Sequence, residues 1–103
     1  MAKRAIEFHP EAASEYYAAL AWYRDRSIKA ARQFEAEFVR AVEQIQNAPE
    51  RWPRYSSNFR RFLLHQFPFQ IVYHFGKEIL VLAVAHTHRS PGYWKQRIKR
   101  IDQ

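Results

Sequence analysis

The 103-residue chain has no cysteine, only two glycines and no long hydrophobic run; its longest aliphatic stretch is Ile79 to Ala85. Without cysteine, neither disulfides nor thiolate metal sites can stabilise the fold, and a reducing cytosol is the expected compartment. Seven aliphatic residues fall far short of the roughly 18 that a membrane span needs. The N-terminal residues also lack the apolar core of a signal peptide. We therefore expect a cytoplasmic protein that has no membrane partner.

Acidic residues are scarce in the second half of the chain. Residues 1–50 contain 7 Lys/Arg and 8 Asp/Glu, whereas residues 51–103 contain 10 Lys/Arg and only 2 Asp/Glu. The net charge of +7 therefore comes from the C-terminal half. Such segregation predicts one positively charged face, and it indicates nucleic acid or an acidic protein as the natural partner.

Hydrophobic residues make up 48% of the chain and aromatic residues 17%, enough for one core in a single domain spanning residues 1–103. Residues 4–8 suit a short strand. Pro10 is placed to begin a helix that runs to about Asp25, and Ser27 is placed to cap a second helix that ends near Asn47 and Pro49. The apolar residues of both helices recur at steps of three and four, with Phe34 and Phe38 on the inner face of the second. We expect both phenylalanines, together with Trp22 and Tyr23, to lie in the core.

Strands are predicted for the rest of the chain. Residues 62–67 and 69–75 read as two strands that hinge on Pro68, and Ile79–Ala85 reads as a central strand. Prolines and a turn at residues 56–58 separate these strands from the helices, and residues 93–100 suit a last helical turn. The order predicts a two-layer α+β domain: an N-terminal strand, an α-hairpin and a three-stranded antiparallel meander. The helices should cover one sheet face and leave the other face, or its rim, for basic residues.

The last strand leads directly into a segment rich in functional side chains: His86, His88, Arg89, Tyr93 and Trp94. His86 and His88 are two positions apart and would point to the same side of a strand, where they could bind a metal. No third ligand has suitable spacing, so we expect neither a metal nor a cofactor. Either histidine could instead serve as a general acid or base in a nuclease. We favour Tyr93 and Trp94 as residues that close the end of the sheet rather than as base-stacking platforms.

Several cations are candidates for contact with a partner. Arg89 lies in a Pro/Gly turn, where it can either face a target or pair with a helix carboxylate such as Glu7 or Glu11. Arg60 and Arg61 must face opposite sides of a strand, and we favour Arg61 for the open sheet face. The C-terminal cations, including Lys95 and Arg97, are expected to be solvated and to add to the positive field.

These motifs, in this order, resemble the RelE/ParE superfamily of type II toxin–antitoxin toxins, closest to the ParE-like, plasmid-stabilisation branch. The resemblance spans nearly the whole chain. The matching residues are Phe8-His9-Pro10-Glu11-Ala12, Trp22-Tyr23, Phe34, Phe38, Pro49-Glu50-Arg51-Trp52-Pro53, Arg61, Phe67-Pro68-Phe69-Gln70-Ile71-Val72-Tyr73, Val84-Ala85-His86 and Arg89-Ser90-Pro91-Gly92-Tyr93-Trp94. The resemblance implies the fold predicted above, with the first and last strands adjacent in an antiparallel sheet.

The superfamily includes ribosome-dependent mRNA nucleases of the RelE type and DNA gyrase inhibitors of the ParE type. By the same resemblance, Arg61 stands where a nuclease has its first strand lysine, Leu63 replaces a second lysine and Gln70 replaces an arginine. Arg89 and Tyr93 remain as counterparts at the C-terminal end. Neither leucine nor glutamine can neutralise the charge that develops on phosphate. The resemblance therefore argues against the nuclease, although the enzymatic alternative stays open, with Arg61, His86, His88, Arg89 and Tyr93 as its candidate residues.

The leading hypothesis is a toxin that is held inactive by a cognate antitoxin and acts on DNA gyrase. The residues expected to contact the target or partner are Arg60, Arg61, Arg89, Tyr93, Trp94, Lys95 and Arg97. One alternative is an endoribonuclease that acts on mRNA, with or without the ribosome. Another is a non-toxic member that only binds its antitoxin. The sequence does not distinguish among these three, nor does it indicate the oligomeric state.

Overall fold

The computed structural model describes residues 3–56 and 58–97. In it, a five-stranded sheet is covered on one face by two helices. The strands are β1 (Ile6–Phe8), β2 (Arg54–Ser56), β3 (Phe59–Leu63), β4 (Phe69–Phe75) and β5 (Ile79–His86). The helices are α1 (Pro10–Arg26) and α2 (Ile28–Asn47), followed by a 3₁₀ turn at Pro49–Arg51. The predicted α+β class, with its α-hairpin and its helices on one sheet face, is confirmed.

Local capping explains where both helices begin. The Nδ1 atom of His9 accepts a hydrogen bond from the backbone N–H of Glu11 (3.1 Å), and Pro10 occupies the first helical position. The hydroxyl oxygen of Ser27 accepts one from the N–H of Ala30 (3.1 Å) and so caps α2. Both helices start where the sequence predicted because these caps involve only neighbouring residues.

The sheet order is β1-β5-β4-β3-β2. The first and last strands are adjacent, as predicted, but β1 runs parallel to β5 and the sheet is therefore mixed rather than antiparallel. In addition, β2 forms an edge strand beside β3, where the sequence predicted only a turn at residues 56–58. Ser56 ends β2, Asn58 lies in a turn, and Ser57 is outside the described residues.

The strand predicted at residues 62–67 is displaced; β3 instead covers Phe59–Leu63. A buried carboxylate on α2 explains why it ends there. Glu37 accepts hydrogen bonds from the backbone N–H groups of His65 and Gln66, at 3.1 Å for Gln66, and thereby turns the chain before Pro68. The N–H of Leu64 donates to the carbonyl of Phe69 (3.0 Å) and closes this turn.

The main core lies between the helices and the sheet. Phe34, Phe38, Ile45, Ile71 and Tyr73 are all buried in it, which confirms Phe34 and Phe38 as core residues. Tyr23 packs against this core, but Trp22 is 52% exposed and the prediction that placed it inside is wrong. Its ring lies at the end of α1 under the guanidinium of Arg26, 3.6 Å away, so a cation rather than the core covers it.

A second, smaller core covers the opposite sheet face. We had expected that face, or its rim, to be left for basic residues. Trp94 is buried there against Val72, Leu82, Ala83 and Ala85, with aromatic residues of β2 and β3 beside it. A bulge on β5 places Leu82 and Ala83 on the same side. Both faces of β4 and β5 are therefore largely buried. The predicted terminal helical turn is present at residues 95–97, and its continuation to residue 100 lies outside the described residues.

Candidate functional site

The segment that follows β5, residues 86–94, forms a rim at the end of the sheet. The N–H of Arg89 donates to the carbonyl of His86 (3.0 Å), and the N–H of Thr87 donates to the carbonyl of Pro68 (2.9 Å). The second bond ties the rim to the turn between β3 and β4. Gly92 has φ = +84°, a left-handed conformation that favours glycine, and it turns the chain back toward the sheet.

Glu15 of α1 anchors this rim. Its Oε1 atom accepts hydrogen bonds from the N–H of Val84 and from Nη1 of Arg97, both at 3.0 Å. Its Oε2 atom accepts from the hydroxyl of Tyr93 (2.7 Å) and from Nη2 of Arg97 (2.9 Å), and Arg89 lies 3.6 Å away. One carboxylate thus connects α1, β5, the rim and the C-terminal turn.

The same contacts close an open stretch of sheet edge. β1 pairs with β5 only as far as Val81, so beyond that residue no strand among the described residues lies beside β5 on this side. Glu15 accepts a hydrogen bond from the N–H of Val84, and Arg97 donates one to the carbonyl of Leu82. These two polar side chains therefore supply hydrogen-bond partners for backbone groups of β5 that would otherwise be unpaired at the sheet edge.

The network also shifts the pKa values of its members. Burial alone raises the pKa of Glu15, but hydrogen bonds from Arg97, Tyr93 and Val84 outweigh it and lower that pKa. Burial, reinforced by the hydrogen bond to Glu15, raises the pKa of Tyr93 strongly. Burial lowers the pKa of Arg97, but contact with Glu15 outweighs it and the net shift is upward. At neutral pH Glu15 is therefore anionic, Arg97 cationic and Tyr93 a protonated phenol.

Arg89 pairs with a carboxylate and yet remains exposed. Its guanidinium pairs with a helix carboxylate, but the partner is Glu15 rather than Glu7 or Glu11. It also lies 3.9 Å from the centre of the Tyr93 ring, while its side chain remains 56% exposed. The closer contacts of Glu15 come from Arg97 and Tyr93. Arg89 can therefore turn toward an external anion without leaving Glu15 unpaired.

The remaining C-terminal candidates divide between core and surface. Trp94 is buried, and Tyr93 packs against the same small core, as expected for residues that close the sheet. Lys95 is exposed. Arg97 is buried, so its prediction as a solvated cation is wrong. Its charge is tolerated inside the protein because it hydrogen-bonds to Glu15 and to the Leu82 carbonyl.

The two rim histidines contact each other. Their ring centres are 5.2 Å apart, and Nδ1 of His86 accepts a hydrogen bond from the backbone N–H of His88 (3.1 Å). His86 also packs edge-on against Phe69. Within residues 3–56 and 58–97, no cluster of three potential metal ligands occurs. These contacts identify His86 as a packing residue of the rim.

The paired arginines of β3 have different surroundings. Arg60 faces the helix side and donates from Nη1 to the carbonyls of Glu50 (3.0 Å) and Trp52 (2.8 Å). Arg61 is exposed, lies on the opposite face and contacts the ring of Tyr55 at 5.4 Å, as predicted. Leu63 lies on that face as well, directly opposite Gln70 on β4, and is 51% exposed whereas Gln70 is buried.

A groove of about 470 Å³ lies between α1 and the end of β5. Its lining is mainly apolar, with alanines of α1 along one side and Trp22, Pro68 and Phe69 around them. His86 and Arg89 border the groove. The groove therefore has a hydrophobic interior and a cationic border.

Comparisons with known proteins agree with this architecture. Residues 6–91 match the model of the ParE toxin of the type II toxin–antitoxin system ParDE. Sequence comparison with curated proteins found no match. Because the family match covers most of the chain, the protein belongs to the ParE toxin family of type II toxin–antitoxin systems.

Two solved structures share the fold. A chain of the chromosomal ParDE system from P. aeruginosa is similar with a TM-score of 0.70 at 20% identity, covering 82% of this chain and 96% of that one. A variant of the E. coli toxin RelE in the free state, with two arginines replaced by alanine, is similar with a TM-score of 0.59 at 17% identity. That match covers 97% of this chain and 99% of the other.

Sequence reasoning missed the two carboxylates that organise the site. The sequence analysis assigned neither Glu15 nor Glu37 a role in the site. Glu15 contacts residues as many as 82 positions away and Glu37 residues 28 positions away. The sequence did carry one signal: Glu15 lies three residues after Ala12 and four before Ala19, on the buried face of α1.

Proposed function

We propose that this protein is a toxin that inhibits DNA gyrase and is neutralised by a cognate antitoxin. Its membership of the ParE toxin family supports the toxin role. The arrangement on the outer sheet face supports gyrase rather than RNA as the target. There Leu63 and Gln70 occupy the positions that the superfamily resemblance assigns to nuclease cations, one exposed and the other buried.

The two nuclease counterparts near the C-terminal end, Arg89 and Tyr93, both contact Glu15. The Tyr93 hydroxyl donates a hydrogen bond to Glu15, and burial together with this contact raises its pKa. Of the two arginines that contact Glu15, Arg89 has an exposed side chain and Arg97 is buried. Of the four cation positions that the resemblance gives, only those of Arg61 and Arg89 hold cations, so part of the charge of a phosphoryl-transfer transition state is left without stabilisation.

The surface of the protein also suits an antitoxin with acidic and apolar residues. The α1–β5 groove offers an apolar interior beside Arg89, and the second half of the chain carries a net charge of +8. An acidic partner would associate with it faster, and in a defined orientation, because opposite charges attract before contact. A helical or extended segment of the antitoxin would bind in the groove.

Expression in cells tests the target. We expect growth arrest with filamentation and DNA damage, and no fragmentation of mRNA in primer-extension assays. Arg61→Ala and Arg89→Ala should weaken the arrest while leaving the fold intact, because both side chains are exposed. Arg32→Ala, on the exposed face of α2, is the matched control. Ribosome-dependent mRNA cleavage that disappears in Arg89→Ala would replace this proposal with the nuclease.

The neighbouring reading frame tests the antitoxin. Its product should bind this protein and restore growth, and its association rate should fall as salt screens charges beyond about 8 Å at physiological ionic strength. A rate that does not change with salt would remove electrostatic attraction from the proposal. Failure of the product to bind at any salt concentration would remove that protein as the partner.

A further inference from the structure

The edge of the sheet farthest from β1 carries a group of arginines and almost no acid. Arg51 lies in the 3₁₀ turn, Arg54 on the edge strand β2 and Arg61 on the adjacent strand β3. The backbone N–H of Arg61 donates to the carbonyl of Pro53 (3.1 Å), which joins β3 to the segment between Arg51 and Arg54. No Asp or Glu occurs between Glu50 and Glu78 in the sequence. We call Arg51, Arg54 and Arg61 the arginine edge.

The guanidinium groups of the arginine edge are available to a ligand. All three residues are exposed, and among the described residues none of them forms an ion pair with a carboxylate. Arg51 lies 5.3 Å from the ring centre of Trp52, and Arg61 lies 5.4 Å from that of Tyr55. Aromatic contact restrains a guanidinium while leaving N–H groups at its edge for an acceptor.

Arg60 explains how this edge is held in place. Its two hydrogen bonds, to the carbonyls of Glu50 and Trp52, fasten the 3₁₀ turn to β3. These bonds occupy Nη1 but leave the charge of the residue in place. Arg60 therefore supports the arginine edge structurally and strengthens its field, whereas the other three arginines can contact a ligand directly.

The edge strand disfavours a peptide that would add as a further strand. β2 has only three residues, and its pairing with β3 is irregular between Arg54 and Ser56. Short, irregular and charged edge strands are poor templates for strand addition. Recognition at this edge must then depend on side chains, and planar arginines suit phosphate oxygens, which they can contact through two N–H groups at once.

We propose that the arginine edge binds the phosphate backbone of duplex DNA independently of base sequence. The choice of DNA rests on the proposed function, because gyrase acts while bound to DNA and an inhibitor of that complex can contact both. The three arginines would add contacts to DNA without contributing to any cleavage chemistry.

Fluorescence anisotropy with a labelled duplex of arbitrary sequence tests the proposal across a series of salt concentrations. Each neutralised phosphate contributes about −0.9 to the slope of log K against log salt, so three contacts predict a slope of about −2.7. Arg51→Gln, Arg54→Gln and Arg61→Gln should each reduce its magnitude by about 0.9. Arg32→Gln removes the same charge from α2 and should leave the slope unchanged.

Three results would overturn the proposal: no binding to the duplex at low salt, edge variants that bind like Arg32→Gln, or binding of polyglutamate but not of the duplex. The last result would assign the edge to an acidic protein. A gyrase assay with Arg51→Gln and Arg54→Gln separates this proposal from the proposed function. Undiminished inhibition with lost duplex binding would mean that the edge has no role in toxicity. Duplex binding without any gyrase inhibition would reject only the gyrase target.

Discussion

Replacing Glu15 with alanine should remove more stability than the loss of any surface ion pair. The Glu15 and Arg97 side chains are only 16% and 9% exposed and share two hydrogen bonds, at 3.0 and 2.9 Å. Removing one partner of such a pair typically costs about 3–5 kcal/mol, because the other charge is left buried. Arg97 would retain the Leu82 carbonyl and the more distant Glu11. We therefore expect the lower figure, about 3 kcal/mol.

Thermal unfolding followed by circular dichroism measures this loss. In a domain of about 100 residues, 3 kcal/mol corresponds to a decrease in Tm of roughly 12–24 °C. Glu43→Ala is the matched control, since it removes a carboxylate from a pair with Lys3 in which both side chains are 51% exposed. That change should cost no more than about 1 kcal/mol. A Tm for Glu15→Ala within the range of the control would refute the assignment of Glu15 as the anchor of the rim.

Three further outcomes follow from the same contacts. Phe38→Ala should lower the free energy of unfolding, measured in urea, by about 2–5 kcal/mol. Val39→Ala, on the exposed side of α2, should change it little. Equal effects would mean that α2 is wrongly oriented. Because hydrogen bonds hold the pKa of Glu15 below its ordinary value of 4.5, its stabilisation is complete above about pH 4.5 and lost as the pH falls through the folded-state pKa. The stability difference between wild type and Glu15→Gln should therefore shrink on acidification, and a constant difference would contradict this linkage. Glu37→Ala should speed amide hydrogen exchange at His65 and Gln66 by removing their acceptor, and unchanged exchange would contradict that role.

The parts of the fold that were predictable from sequence depend on short-range chemistry. Pro10 and Ser27 mark the helix starts because a cap involves residues only two or three positions away. β4 was placed at its observed limits, Phe69–Phe75, because strand periodicity and the turn after it are both local features.

The parts that were not predictable depend on distant partners. β3 ends at Leu63 because a carboxylate from α2 binds the next turn, and no pattern within residues 59–67 indicates that contact. The parallel direction of β1 beside β5 was not predictable because the chain passes through both helices and three strands before it returns beside β1. Arg97 read as a surface cation because its partner, Glu15, lies 82 residues earlier.

The sequence predicted which segment forms the candidate site but not the contacts among its side chains. The rim from His86 to Trp94 was identified from its composition, and Arg61 was correctly placed on the outer face of β3. The sequence could not show that Glu15 holds Arg89, Tyr93 and Arg97 together. That network changes the interpretation of Tyr93 from a possible catalytic group to a structural hydrogen-bond donor.

Inhibition of supercoiling by the purified protein tests the central claim most directly. Purified gyrase, relaxed plasmid and ATP are incubated with increasing amounts of the protein, and the same preparation is added to translating ribosomes as a check for RNA cleavage. We predict dose-dependent loss of supercoiling, weakened by Arg89→Ala but not by Arg32→Ala, together with intact mRNA. Unimpaired supercoiling alongside ribosome-dependent mRNA cleavage would contradict the account.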